Sequence, residues 1–236
     1  MKEESTIQLV VFDMAGTTVE DKDSVQKALQ TALAKAGFKV SLAETVEVMG
    51  YPKPEAIRIL LEQKLEDKSK ITPEFIEEIH QFFVQDMVSY YEQSPEIKEK
   101  KGVSDTFSLL RKNNIKVALD TGFSRPIADA IIDRLHWKNK IDVSITSDEV
   151  ENGRPYPDMI YKAMKQTGVE DIKKVAKVGD TASDMQQGME AGCKYVIGVT
   201  TGNYTEEELK NYEHTHLIAQ LPEILDILGI TSEKVA

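Results

Sequence analysis

The chain has 236 residues, enough for one sizeable core and a smaller subdomain. With 41% hydrophobic residues, 29% charged residues and a net charge of −11, it reads as an ordinary globular protein with no surface for nucleic acid or an anionic membrane. The single cysteine, Cys193, excludes an intrachain disulfide and fits a reducing cytoplasm. The polar start "MKEESTIQ" does not read as a signal peptide, and no apolar run approaches the ~20 residues that span a bilayer.

Along the chain, "IQLVVF" (Ile7 to Phe12) predicts a first strand. From Asp21 to Lys98 no strand is evident. "SVQKALQTALAKAG" has helical periodicity and ends at Gly37, a C-terminal cap residue. "TPEFIEEIHQFFVQDMVSYYEQ" opens with Thr72 as N-cap and Pro73 at the first helical position. Its Ile76, Ile79, Phe83, Met87 and Tyr90 follow helical spacing and predict a buried stripe. "SPEIKEKKG" (Ser94 to Gly102) reads as a return linker.

Beyond it, "IKVALD", "IDVSIT", "KKVAKVGD" and "KYVIGV" predict four more strands, short and apolar like strands covered on both faces. Helices are expected near 103–113, 126–136, 157–167 and 182–191. Alternation of this kind predicts an α/β fold, a doubly wound parallel sheet with a Rossmann-like core. The expected domains are a core from 1–20 and 99–236, and a helical cap from 21–98 inserted after the first strand.

Open α/β sheets bind ligands outside the carboxyl ends of their strands. Asp13 ends the first strand, Thr121 and Gly122 follow the second, and Asp180 ends another. Asp184, four residues after Asp180, shares its face if a helix begins there. Arg154 sits between Gly153 and Pro155 in "NGRPYPD". Several carboxylates with few histidines suit Mg²⁺, which prefers oxygen ligands. An aspartate can attack phosphorus, while a Thr hydroxyl, loop amides and an Arg hold the equatorial oxygens.

In this order the motifs resemble the haloacid dehalogenase superfamily: "VVFDMAGT", "ALDTG", "GRPYPD" and "VGDTASD". The resemblance covers essentially the whole chain. It implies a hydrolase with Asp13 as nucleophile and Mg²⁺ held by Asp13, the Ala15 carbonyl, Asp180 and Asp184. Thr121 and Arg154 would act on the phosphoryl group, with Gly16, Thr17, Met49, Gly50 and Gly122 around the substrate.

Most phosphatases of the superfamily carry a second aspartate two residues after the nucleophile, as acid and base. Here that position is Ala15, and losing such a group costs ~10²–10⁴ in rate. "DMAGTT", "TGF" and "GRPYPD" resemble the "DWAGTT", "TTGY" and "GRPYPW" of the phosphonoacetaldehyde hydrolases, or phosphonatases. "VMGYPKPEAI" resembles their "PMGLLKIDHV", which places Lys53 on the family's Schiff-base lysine. The iminium in that family draws electrons from the P–C bond, so no alkoxide needs protonation.

Pro52 and Pro54 flank Lys53, and Pro54 reads as the start of a helix whose inner face carries Ile57, Leu60 and Leu61. A helix N-terminus disfavours the ammonium. Three roles stay open for Lys53: a solvated surface residue, a clamp for an anionic substrate, and a Schiff-base amine. The chain departs from the family at Ala56, where the family has histidine, at Asp158, where it has tryptophan, and in "EDKD" after "AGTTV".

Among other polar residues, His214 and His216 alternate as in a strand and read as surface or edge residues. His80 and His136 sit in helical patterns and read as packing residues. Thr205 with Glu208 reads as a capping box. Asp120 is open between facing the site and burial beside its strand. The expected partner is a small phosphonate or phosphate. Beside P–C cleavage, hydrolysis of a phosphate monoester with Lys53 as anion clamp and a degenerate, non-catalytic phosphate-binding role stay open. The oligomeric state is open, a homodimer being one state the sequence allows.

Overall fold

The computed structural model describes residues 7–230. The first six residues, most of the stretch read as no signal peptide, lie outside them. In chain order the elements are β1 (Leu9–Asp13), α1 (Ser24–Lys35), α2 (Leu42–Val46), α3 (Lys53–Lys64), α4 (Pro73–Gln93), α5 (Val103–Lys112), β2 (Lys116–Thr121), α6 (Arg125–Arg134) and β3 (Val143–Thr146). Then come α7 (Asp158–Thr167), β4 (Val175–Gly179), α8 (Ala182–Ala191), β5 (Tyr195–Val199), α9 (Glu206–Leu209), β6 (His216–Ile218) and α10 (Ile224–Ile227).

The strands form one parallel sheet in the order β3-β2-β1-β4-β5-β6. Side chains alternate across a strand, so β1 serves two cores. Leu9 and Val11 pack with Met159 and Ile160 of α7 and Met185 of α8. Val10 and Phe12 pack on the other face with Phe107 of α5 and Ile131 of α6, a cluster that runs on into the inserted helices. The fold is the expected doubly wound α/β sheet with a helical insertion. The sixth strand lies in "EHTHLI" at the sheet edge, where the ring of His216 stands 5.4 Å from that of Tyr195.

The insertion leaves and re-enters through two paired segments. Glu20 N donates to Lys98 O at 3.0 Å and Lys100 N to Thr18 O at 2.9 Å. α4 begins as expected, with Thr72 Oγ1 accepting from Phe75 N at 3.2 Å. Its buried residues are Ile79, Phe83, Met87 and Tyr91. Ile76 and Tyr90 are only half-buried. Each i+4 step advances the row by about 40°, and the helix packs against both α1 and α6. There Phe83 and Tyr91 meet Phe123 of the core, with ring centroids 6.3 and 6.2 Å away.

His136 corrects its expectation. α6 stops at Arg134, and His136 is exposed at φ +56°, while the next residue, Trp137, is the one that packs. The capping box of Thr205 and Glu208 is present, with Glu208 Oε2 accepting from Thr205 N at 2.8 Å.

Candidate active site

Asp13 and Asp120 are register partners at the carboxyl ends of β1 and β2. Lys177 lies beside Val11 on β4, two residues earlier, so all three side chains share the face covered by α7 and α8. Asp120 and Lys177 have no exposed surface, and they form an ion pair. Lys177 Nζ also lies 3.0 Å from Asp184 Oδ1. Burial disfavours the ammonium of Lys177, but Asp120 and Asp184 outweigh it and raise its pKa.

α8 begins where Asp184 needs it. Thr181 is its N-cap, and Asp184 completes a capping box, with Oδ2 accepting from Thr181 Oγ1 at 2.5 Å. Oδ1 is thereby turned toward the sheet, where Arg154 Nη1 reaches it. Arg154 Nη2 contacts Asp13 Oδ1 at 2.7 Å, so one guanidinium bridges two acids, and its buried Nε has no partner. Burial opposes ionisation of Asp184, yet Arg154 and Lys177 hold its pKa at about 2. Asp13 goes the other way: burial lifts it to about 8, Arg154 opposing and Asp184 and Asp180 assisting.

Asp180 has its own cradle. Thr17 Oγ1 donates to Oδ1 at 2.7 Å, and Asn203 donates to Oδ2 from its backbone N at 2.6 Å and from Nδ2 at 2.8 Å. Gly16, at φ +94°, lets the turn press against Asp180, and a Cβ there would also meet Asn203 Nδ2 at 2.6 Å. Burial raises the pKa of Asp180, with Asp184 adding to the effect. Thr17 and Gly16 thus hold Asp180 and do not line the cleft.

The cleft is lined by Asp13, Ala15, Met49, Gly50, Lys53, Thr121, Gly122 and Arg154, joined by Asp21 and Phe123. The cavity within it is small, about 20 Å³, and opens to solvent. The 50–53 stretch of the insertion is seated on three core loops. A Cβ on Gly50 would meet Thr181 Oγ1 at 2.5 Å, one on Gly122 would meet the Tyr51 carbonyl at 2.5 Å, and one on Gly153 would clash with Pro52. Gly122→Ala must therefore lift this stretch. A displacement of about 1 Å can cost ~10²-fold in rate, so turnover should fall by that order while the melting temperature changes little. Unchanged turnover would show that the seating does not matter.

Lys53 is the first residue of α3, one position earlier than expected, with Pro52 as N-cap. It is 3% exposed and so not a solvated surface lysine. Nζ donates to Tyr51 O at 3.2 Å and stands 5.6 Å from the Phe123 ring centroid. Among the described residues no carboxylate lies within ion-pair distance of it. Burial, then Arg154, lower its pKa to about 8, against the pull of Asp13 and Asp21.

Among the site residues that escaped sequence reasoning are Lys177, Asn203, Asp21 and Phe123. Lys177 left one signal, a lone charge in the middle of the apolar strand "VAKVG". Asp158, where the related family has tryptophan, closes its own loop, Oδ2 accepting from Asn152 N at 3.1 Å.

The donor chemistry fits a hard divalent cation. One carboxylate oxygen each from Asp13, Asp120 and Asp184 lie within 4.8 Å of one another, all three residues are buried, and Asp120 Oδ2 has no partner. Four buried acids, Asp13, Asp120, Asp180 and Asp184, are gathered with three buried basic residues, Lys53, Arg154 and Lys177.

Residues 10–199 match the haloacid dehalogenase-like hydrolase family. A phosphonoacetaldehyde hydrolase of Bacillus cereus is 31% identical over 89% of this chain and 84% of its own length. A phosphonoacetaldehyde hydrolase-like protein from Oleispira antarctica shares the fold, with a TM-score of 0.82 at 22% identity over 95% of this chain and 92% of that one. CbbY from Rhodobacter sphaeroides, solved with phosphate, has a TM-score of 0.77 at 20% identity over 92% of this chain and 96% of its own. The match across most of the chain, on a sheet with its acids at the expected strand ends, makes this chain a member of the haloacid dehalogenase-like hydrolases and an enzyme, similar to their phosphonoacetaldehyde hydrolases.

Proposed function

We propose that the protein hydrolyses a small phosphonate bearing an aldehyde, with Asp13 as nucleophile and Lys53 as the amine that condenses with the aldehyde. The observation that carries this reading is Lys53, buried in the cleft that holds Asp13, with a pKa of about 8. A lysine so placed has about a tenth of its amine neutral at pH 7, far more than a solvated one. The similar proteins named phosphonoacetaldehyde hydrolase support the same substrate class.

In this reading Lys53 Nζ forms an imine with the aldehyde, and a carboxylate oxygen of Asp13 attacks phosphorus. The electrons of the breaking P–C bond enter the iminium and leave an enamine. No oxygen departs, so the alanine at position 15 is no handicap. Water then releases phosphate from Asp13. Thr121 Oγ1 accepts from Phe123 N at 3.1 Å, which leaves its proton for a phosphoryl oxygen, and Arg154 Nε is a second donor. Asp13 and Asp184 would hold Mg²⁺ with the Ala15 carbonyl. Asp120, whose Oδ2 has no partner, completes the observed cluster, whereas Asp180 would have to give up bonds to Thr17 and Asn203 to join it. The ion would offset the carboxylate charge that repels an anionic phosphoryl group. Residues 21–98 act as the cap that closes the cleft. Among the described residues no helix is long and apolar enough to cross a membrane.

A second reading makes Lys53 a clamp for the anion of a phosphate ester, because below pH 8 most of it is ammonium. Borohydride reduces an imine to a stable amine and separates the two. With phosphonoacetaldehyde present, it should leave a mass adduct on the peptide containing Lys53, and Lys53→Arg should abolish both adduct and turnover. The neutral amine is the reactive form, so adduct formation should climb as pH rises and level off just above 8. No adduct, with Lys53→Arg still active, would establish the clamp.

A further inference from the structure

Asp21 stands at the entrance to the insertion, next to the paired segment of Glu20 and Lys98. Its Oδ1 accepts from Ser24 N at 2.8 Å and anchors the first turn of α1. Its Oδ2 is buried without a partner, although the residue lines the cleft that holds Asp13 and Lys53. A buried carboxyl oxygen with no partner is costly, and here it borders the space a substrate would fill. Asp21 also acts electrostatically on Lys53. The Schiff-base chemistry requires proton transfers to and from oxygen beside Lys53, and neither Ala15 nor Ala56 can supply them.

We propose that Asp21 is the catalytic acid and base of Lys53's condensation chemistry. This rests on the reading of Lys53 as a Schiff-base amine. Addition of Nζ to the aldehyde gives a carbinolamine. The Asp21 carboxylic acid gives its proton to the carbinolamine hydroxyl, the C–O bond breaks with its electron pair on the departing water, and the nitrogen lone pair closes the iminium. Asp21 is left as a carboxylate beside that cation. After P–C cleavage the enamine takes up a solvent proton at its terminal carbon and becomes the product iminium. When water adds to it, the C=N electrons return to nitrogen and Asp21 takes a proton from the incoming water. Its acid form is thereby restored. Burial raises the pKa of Asp21, which favours the acid form at the start of the cycle.

The test measures the rate of the borohydride-trapped adduct together with phosphate release. Asp21→Asn keeps an Oδ1 acceptor for Ser24 N, so α1 should stay capped. The adduct should form ~10²–10⁴-fold more slowly in this variant. Asp21→Ala should be equally slow and be partly restored by added acetate, which a purely structural role would not allow. Adduct formation at the unaltered rate in Asp21→Asn, or slow variants that acetate does not restore, would overturn the role of Asp21 alone. No adduct in the unaltered protein would overturn the Lys53 reading and this one with it.

Discussion

Asp13→Asn should abolish turnover on every substrate while leaving the fold intact. The amide is a poor nucleophile and a poor ligand for a hard cation, so two functions go at once. Replacing a nucleophile that acts with its neighbours as a unit removes at least ~10³-fold in rate. Stability should move the other way. Burial raises the Asp13 pKa from 3.8 to about 8, so the folded state holds this proton more tightly than the unfolded chain does. The stabilisation from that group is fully present below pH 3.8 and is lost as pH rises through about 8. Asparagine is neutral throughout. In chelator, Asp13→Asn should therefore melt no lower than the unaltered protein at pH 8, and its advantage should shrink toward pH 4. Retained turnover, or a large loss of stability at pH 8, would contradict the account of this residue.

Lys177→Met should be the most destabilising single change at the site. Lys177 and Asp120 have no exposed surface, and Asp184 shares the same ammonium. Removing one member of a buried pair leaves a desolvated charge and costs about 3–5 kcal/mol. The raised pKa of Lys177 gives the sign with pH. Its contribution is present below the ordinary lysine value of 10.5 and is lost only above it, so the loss should be constant from pH 6 to 9. Adding Asp120→Leu should recover most of the loss, because Asp184 keeps Arg154 and Thr181 as partners. Urea titration of both single variants and the double variant closes the cycle. A loss below about 1 kcal/mol in Lys177→Met would mean that the pair is not the internal support it is taken to be.

These two residues also mark how far the sequence was legible. Asp13 was legible because an acid at the end of an apolar strand followed by a Gly-Thr turn has few other uses. The alternation of short apolar runs and helical periods located β1 to β5, and Thr72 and Pro73 marked the start of α4. Lys177 was not, because its meaning depends on Asp120 across an intervening strand and Asp184 on a helix, and no local pattern links the three. The same holds for Asn203, whose bonds to Asp180 span a loop. Burial of Lys53 could be argued only in part from its prolines. What removes it from water is the fit of Gly50, Tyr51 and Pro52 onto Gly122, Thr181 and Gly153, and that is tertiary geometry. Tyr91 took the buried position expected of Tyr90 because α4 must reach Phe123 as well as α1.

The central claim is a covalent phosphoryl group on Asp13. The most direct measurement is a rapid acid quench during Mg²⁺-supported turnover of phosphonoacetaldehyde, followed by digestion and mass spectrometry. The account predicts one phosphoryl group on the peptide that contains Asp13, absent without substrate and absent in Asp13→Asn. Phosphate released at the same rate by Asp13→Asn, or a phosphoryl group on a different residue, would contradict it.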